Sequence, residues 1–86
     1  MNFPKSRGTP KAYDARGLIC PLPVLRARKI LAAMQTGEEL QILTDDPVAR
    51  IDLPHFCAEA GHRHLGVEDG PEGQLHRILR GAEAGD

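Results

Sequence analysis

Two cysteines carry the most versatile chemistry in this 86-residue chain, and one of them stands in a context that favours reaction. Cys20 is followed by Pro21, Leu22 and Pro23, and proline suits the first position of a helix. The sequence therefore predicts that Cys20 is a helix N-cap, beside free backbone N–H groups and the positive end of the helix dipole. Because such a terminus lowers the pKa of a thiol, we expect Cys20 to be an accessible, readily ionised nucleophile.

Residues around Cys20 are expected to support its thiol. The prolines lack an N–H group, so Leu22 and Val24 are the principal donors near the sulfur. Arg16, if it lies close, would lower the pKa of Cys20 further. Gly17 is expected to shape the turn before the helix, because glycine adopts backbone angles that other residues resist. The full supporting set is Arg16, Gly17, Pro21, Leu22, Pro23 and Val24.

Cys57 is expected to be a buried structural thiol, because it lies beside Phe56 on the apolar side of a second helix. The alternative is a disulfide between Cys57 and Cys20, which would make the protein a redox switch. That bond requires the two Cα atoms to lie within about 7 Å of each other.

Three histidines near the end of the chain could bind a metal ion together, namely His62, His64 and His76. Surface histidines on strands are commoner, and no cysteine or pair of carboxylates has matching spacing. We therefore expect neither a metal site nor a cofactor.

Two helices and four strands are expected to position these residues. The first helix runs from Pro21 to about Gln35 and has one apolar stripe, made of Val24, Ala27, Ile30, Leu31 and Met34. Asp46 caps the second helix, which ends at Gly61 and is expected to kink or split near Leu53, before Pro54. Its expected buried residues are Val48, Ile51, Phe56, Cys57 and Ala60. Alternating apolar residues and turn signals predict strands at 12–16, 39–44, 62–68 and 74–80.

The resulting order, β-α-β-α-β-β, predicts an α/β fold of the α+β two-layer type. Right-handed crossovers and a final hairpin would give a four-stranded mixed sheet with both helices on one face. We expect this domain to span residues 11–80, between flexible tails at 1–10 and 81–86.

Composition narrows the possible functions. The net charge of −1 argues against direct nucleic-acid binding, which usually needs a basic domain. The chain has neither the run of about 18 apolar residues needed to span a membrane nor a secretory signal. We therefore expect a cytoplasmic protein with reduced thiols. Nothing in the sequence demands more than a monomer.

The segment from Asp14 to Pro23 follows the pattern Asp-x-x-Gly-x-x-Cys-Pro-x-Pro, and in this the chain resembles the TusA/SirA-like sulfur-carrier family. The segments Asp45-Asp46-Pro47 and 52–57 are also similar to that family. The resemblance implies a two-layer sandwich in which Cys20 accepts sulfane sulfur as a persulfide. The implied donor is a cysteine desulfurase or rhodanese, and the acceptor is another protein. The implied pathways are tRNA 2-thiouridine synthesis, sulfur oxidation and molybdoenzyme maturation.

Such a protein would be a sulfurtransferase-like carrier that acts stoichiometrically, with no cofactor beyond its covalent sulfur. A patch next to Cys20 could dock the donor or acceptor, namely Leu22, Leu25 and Lys29. The alternative for this patch is that the loop containing Leu18 and Ile19 covers it. The alternatives for the whole chain are a thiol redox regulator using Cys20 with Cys57, and a non-catalytic interaction domain.

Overall fold

A computed structural model describes residues 9–82, which form four strands and two helices. In chain order these are β1 (Lys11–Asp14), α1 (Leu22–Ala32), β2 (Glu39–Thr44), α2 (Ala49–Ala60), β3 (Arg63–Gly70) and β4 (Gly73–Leu79). The predicted order of elements is confirmed. Of the predicted tails, residues 1–8 and 83–86 lie outside the described residues.

The strands form one mixed sheet in the order β1-β2-β4-β3. Strand β1 pairs in parallel with β2, while β4 is antiparallel to both β2 and β3. Helix α1 connects the parallel pair, and the hairpin between β3 and β4 turns at Pro71 and Glu72. Both helices pack on each other and on the sheet, which confirms the predicted two-layer α+β fold.

The core is mainly aliphatic, as a chain with 3% aromatic residues requires. The predicted stripe faces inward: Ala27 and Leu31 of α1 are buried, as is Met34 just after the helix, and Val24 and Ile30 are half-buried against the core. The helix ends at Ala32, earlier than the predicted Gln35. The buried hydrophobic residues of the whole core are Ala15, Ala27, Leu31, Met34, Leu40, Ile42, Ala49, Leu53, Phe56, Cys57 and Ile78.

Helix α2 packs through a face that contains the predicted Phe56 and Cys57 but not the predicted Val48 and Ile51. Val48 is 42% exposed and Ile51 is 71% exposed, so their predicted burial is wrong. The buried residues fall at positions i, i+4, i+7 and i+8 of one stripe, namely Ala49, Leu53, Phe56 and Cys57. At about 100° per residue, Ile51 lies about 200° around the helix from Ala49, on the opposite side.

Pro54 lies inside α2, and the helix continues through it to Ala60. The predicted split into two short helices is therefore wrong. Proline removes one backbone hydrogen bond from a helix, but the buried side chains on both sides of Pro54 hold this one against the sheet. Within residues 9–82, neither helix is long and apolar enough to cross a membrane.

Candidate functional site

The loop before α1 presents Cys20 at the surface. Regular helix begins at Leu22 and the N-cap is Pro21, so Cys20 precedes the cap by one residue. The N–H of Leu22 donates to the carbonyl of Ile19 at 2.8 Å, which closes a turn around Cys20. The prediction that Cys20 is the N-cap is therefore wrong, because this turn occupies the donor that the cap would have used. The thiol is exposed, as predicted.

Two aspartates of the loop between β2 and α2 hold the Cys20 loop in place. Gly17 has φ of +86°, in agreement with its predicted role in the turn, and its N–H donates to Asp45 Oδ1 at 3.0 Å. The N–H of Cys20 donates to Asp46 Oδ2 at 2.7 Å. Asp46 Oδ1 accepts the N–H of Val48 at 3.1 Å, so this aspartate starts the turn into α2 as predicted. Regular helix follows from Ala49.

The sulfur itself faces a carboxylate on α2. Cys20 Sγ donates to Asp52 Oδ2 at 3.1 Å. This hydrogen bond raises the pKa of Cys20 above its usual value, and partial desolvation and the negative charges of Asp52 and Asp46 add to the effect. The prediction of a readily ionised thiol is therefore wrong. In this hydrogen bond Cys20 is the donor and so is in its thiol form.

Arg16 pairs with Asp14. Its Nε and Nη2 donate to the two carboxylate oxygens of Asp14 at 2.9 and 2.7 Å. This pairing holds the pKa of Asp14 down at about 2. The backbone N–H of Arg16 also donates to Asp14 Oδ1, which bends the chain after β1. The predicted support of the Cys20 thiol by Arg16 stays a prediction.

The other residues of the predicted supporting and docking sets lie on α1. Pro23 is buried and Val24 is half-buried against the core. Leu22 and Leu25 are 39% and 49% exposed, and Lys29 is exposed. Leu18 packs against the core while Ile19 is 68% exposed, so the loop does not shield the leucines from solvent. Leu22 and Leu25 are therefore open to contact by another molecule.

The second thiol lies in different surroundings. Cys57 is 1% exposed, as predicted, and burial raises its pKa to about 12. Both cysteines are free thiols. Because Cys20 is exposed and Cys57 is buried, the two thiols are poorly placed to form a disulfide with each other.

The three histidines do not form a metal site. His76 is buried, with its Nδ1 at 2.9 Å from His64 Nε2, while His62 Nδ1 accepts the N–H of Gly81. Within residues 9–82, no group of three or more histidine, cysteine or acidic side chains is arranged to hold a metal ion.

Sequence reasoning assigned no chemical role to Asp46 or Asp52, the two carboxylates that contact Cys20. Both lie in the segments that resemble the sulfur-carrier family, and that resemblance is the sequence feature that could have indicated a role for them. Their proximity to the thiol depends on the packing of α2 beside the loop, which residue spacing alone does not show.

Comparison with known proteins identifies the family and agrees with the fold. The family model described as Sulfurtransferase TusA matches residues 11–80. The crystal structure of a SirA-like protein from Desulfitobacterium hafniense is similar, with a TM-score of 0.67 and 28% sequence identity. The similarity covers 79% of this chain and 92% of that one. With its exposed thiol at the start of α1 and its two-layer α+β fold, this chain belongs to the TusA family of sulfur-carrier sulfurtransferases.

Proposed function

We propose that Cys20 is the residue on which this protein carries sulfur, as a persulfide. The observation that supports this most directly is the difference between the two thiols: Cys20 is exposed, whereas Cys57 is buried and has a pKa of about 12. A protein donor can reach only the first of them without unfolding α2. The exposed thiol also lies beside the start of α1, within the matched family region.

The proposed transfer has two steps. Cys20 sulfur attacks the terminal sulfur of a donor persulfide, R–S–SH, so that a new S–S bond forms and the donor's S–S bond breaks. Cys20 becomes Cys20–S–SH and the donor leaves as a thiol. An acceptor thiolate then attacks the outer sulfur and releases Cys20. Each step breaks one S–S bond and forms another, so it requires neither a net oxidation nor a metal ion.

The donor that we propose is a cysteine desulfurase or rhodanese, and the acceptor is a second protein with its own reactive thiol. The protein acts stoichiometrically, because each Cys20 must be unloaded before it accepts again. The pathways implied by the resemblance remain those of tRNA thiolation, sulfur oxidation and molybdoenzyme maturation. The cytoplasmic location and the monomeric state stay predictions.

A redox switch between Cys20 and Cys57 receives little support. The buried thiol would have to leave the core between α2 and the sheet, where it packs beside Phe56. Burial also keeps Cys57 protonated at neutral pH, and the thiolate is the reactive form.

Intact mass after incubation with a donor tests the proposal. With cysteine desulfurase, cysteine and pyridoxal phosphate, the wild-type protein is expected to gain about 32 Da, the mass of one sulfur atom. Cys20→Ser is expected to gain nothing, while Cys57→Ser, the matched control, still gains one sulfur. Sulfur that stays on Cys20→Ser, or a loss of two hydrogens in place of the gain, contradicts a carrier role for Cys20.

The exposed patch formed by Leu22, Leu25 and Lys29 is proposed as a docking surface for the donor or acceptor. These residues lie on α1, whose first residue, Leu22, follows Cys20 by two positions, and Leu22 and Leu25 are exposed. In the same loading experiment, Leu25→Ser is expected to slow sulfur uptake from the protein donor. Leu65→Ser is the control, because Leu65 is 39% exposed, against 49% for Leu25, but lies on β3. Equal effects of the two substitutions would contradict docking at this patch.

A further inference from the structure

The contact between Cys20 and Asp52 raises a chemical problem for a sulfur carrier. A nucleophilic sulfur must lose its proton, yet this thiol donates to a carboxylate that raises its pKa. The same carboxylate oxygen, Asp52 Oδ2, lies 3.1 Å from Sγ, within reach of the proton that must leave. Asp52 is half-buried in the first turn of α2, so the helix fixes its position.

The two carboxylates beside Cys20 are differently engaged. Asp46 binds backbone with both oxygens: Oδ2 accepts the N–H of Cys20 at 2.7 Å, and Oδ1 accepts the N–H of Val48 at 3.1 Å. Asp52 instead accepts the hydrogen bond that the Cys20 thiol donates. These two aspartates are the charged groups that act on the thiol, one from the loop before α2 and one from the helix. Asp46 therefore positions the loop, and Asp52 contacts the reacting atom.

We propose that Asp52 is the proton acceptor of Cys20 during sulfur transfer. This inference rests on the proposed function. As Cys20 Sγ attacks a donor persulfide, its proton moves to Asp52 Oδ2, the new S–S bond forms and the donor leaves as a thiolate. The protonated carboxyl then returns the proton to that thiolate. The net reaction, Cys20–SH plus R–S–SH giving Cys20–S–SH plus R–SH, is balanced in atoms and electrons.

This arrangement distinguishes the empty carrier from the loaded one. The inner sulfur of Cys20–S–SH has no proton, so it cannot donate to Asp52. The outer sulfur lies one S–S bond, about 2 Å, farther along the side chain. The hydrogen bond that holds the empty thiol is therefore lost on loading, and the two carboxylates disfavour an anionic outer sulfur beside them. The loaded group is thereby directed outward, toward an acceptor.

The substitution Asp52→Asn distinguishes two possible roles of Asp52. In one, the carboxylate accepts the proton of Cys20 during transfer; in the other, its negative charge only disfavours the Cys20 thiolate. The amide keeps the shape and can still accept a hydrogen bond, but it has no negative charge and cannot take the proton. Alkylation of Cys20 by iodoacetamide at pH 7, which measures the thiolate, is expected to become several-fold faster. The single-turnover rate of sulfur uptake at saturating donor is expected to fall about ten-fold or more.

The control is Glu59→Gln, which removes one negative charge from the same helix about 10 Å farther along its axis. Glu59 pairs with His55 at the surface, and both rates are expected to match those of the wild type. Asp52→Glu, which restores a carboxylate, is expected to recover part of the sulfur uptake.

Three outcomes overturn the inference. If Asp52→Asn accelerates both reactions, the carboxylate only suppresses the thiolate. If uptake falls while alkylation is unchanged, Asp52 contacts the donor and does not act on the thiol. If neither rate changes, the hydrogen bond has no role. Failure of the proposed function is distinct: the wild-type protein would then take up no sulfur, while the alkylation experiment would still measure the coupling of Asp52 to Cys20.

Discussion

At the residue scale, Gly17 tests how the Cys20 loop is built. Its φ of +86° lies in the left-handed region, and a Cβ added there would meet no atom within 4 Å. The cost of Gly17→Ala is therefore one of backbone conformation alone, about 1–2 kcal/mol of unfolding free energy. Chemical denaturation of the two proteins measures it.

Gly66→Ala is the matched control for this substitution. A Cβ at Gly66 also meets nothing within 4 Å, but its φ lies outside the left-handed region. This substitution is expected to leave stability unchanged or raise it, because alanine restricts the unfolded chain. Equal destabilisation by the two substitutions would show that the backbone angle at Gly17 carries no cost.

The exposure of the Cys20 thiol could be predicted from the sequence, but the direction of its pKa shift could not. Cys20 stands out through the prolines that follow it, and its exposure follows from its position at a helix start. The direction of its pKa shift depends on Asp52, which lies 32 residues away along the chain and reaches the sulfur only when α2 packs beside the loop. The local pattern indicates the helix dipole but not this carboxylate, whose hydrogen bond is the main cause of the raised pKa of Cys20.

At the scale of elements, α2 offers a direct test of which side faces the core. Leu53→Ala is expected to lower the unfolding free energy by about 2–5 kcal/mol, because Leu53 is fully buried. Ile51→Ala is the control two residues away, and its 71% exposed side chain should cost less than about 0.5 kcal/mol. Denaturant titration of both variants gives the comparison. A larger loss of unfolding free energy for Ile51→Ala than for Leu53→Ala would contradict this packing of α2.

The elements differ in how well sequence predicts them. Strand β2 has the predicted bounds, because its Leu40 and Ile42 alternate inward between well-marked turns. In helix α2 the prediction is right for Phe56 and Cys57 and wrong for Val48 and Ile51, which are apolar but exposed. Their exposure shows that they contribute little to core packing, and a local pattern cannot separate apolar residues at a surface from those in a core.

At the scale of the whole molecule, the buried His76, which contacts His64, couples stability to pH. His76 is fully buried in β4 and contacts His64 of β3, and burial lowers the pKa of His76 from 6.5 to about 4. As pH falls from about 6.5 to 4, the His76 ring binds a proton in the unfolded chain but stays neutral in the folded chain. Stability therefore decreases across this range, by an amount on the order of 3 kcal/mol from His76, and changes little from this group below it.

The slope of unfolding free energy against pH between 6.5 and 4 measures this effect. His76→Gln, which cannot titrate, is expected to have a shallower slope than the wild type. His55→Gln is the control, because His55 is exposed on α2 and pairs only with Glu59 among the described residues. NMR titration of the wild-type protein gives a second measurement that does not depend on a variant folding, and the His76 ring should stay neutral until the pH nears 4. A ring that titrates near 6.5 would mean that the hairpin opens to solvent, since burial is the main cause of the lowered pKa.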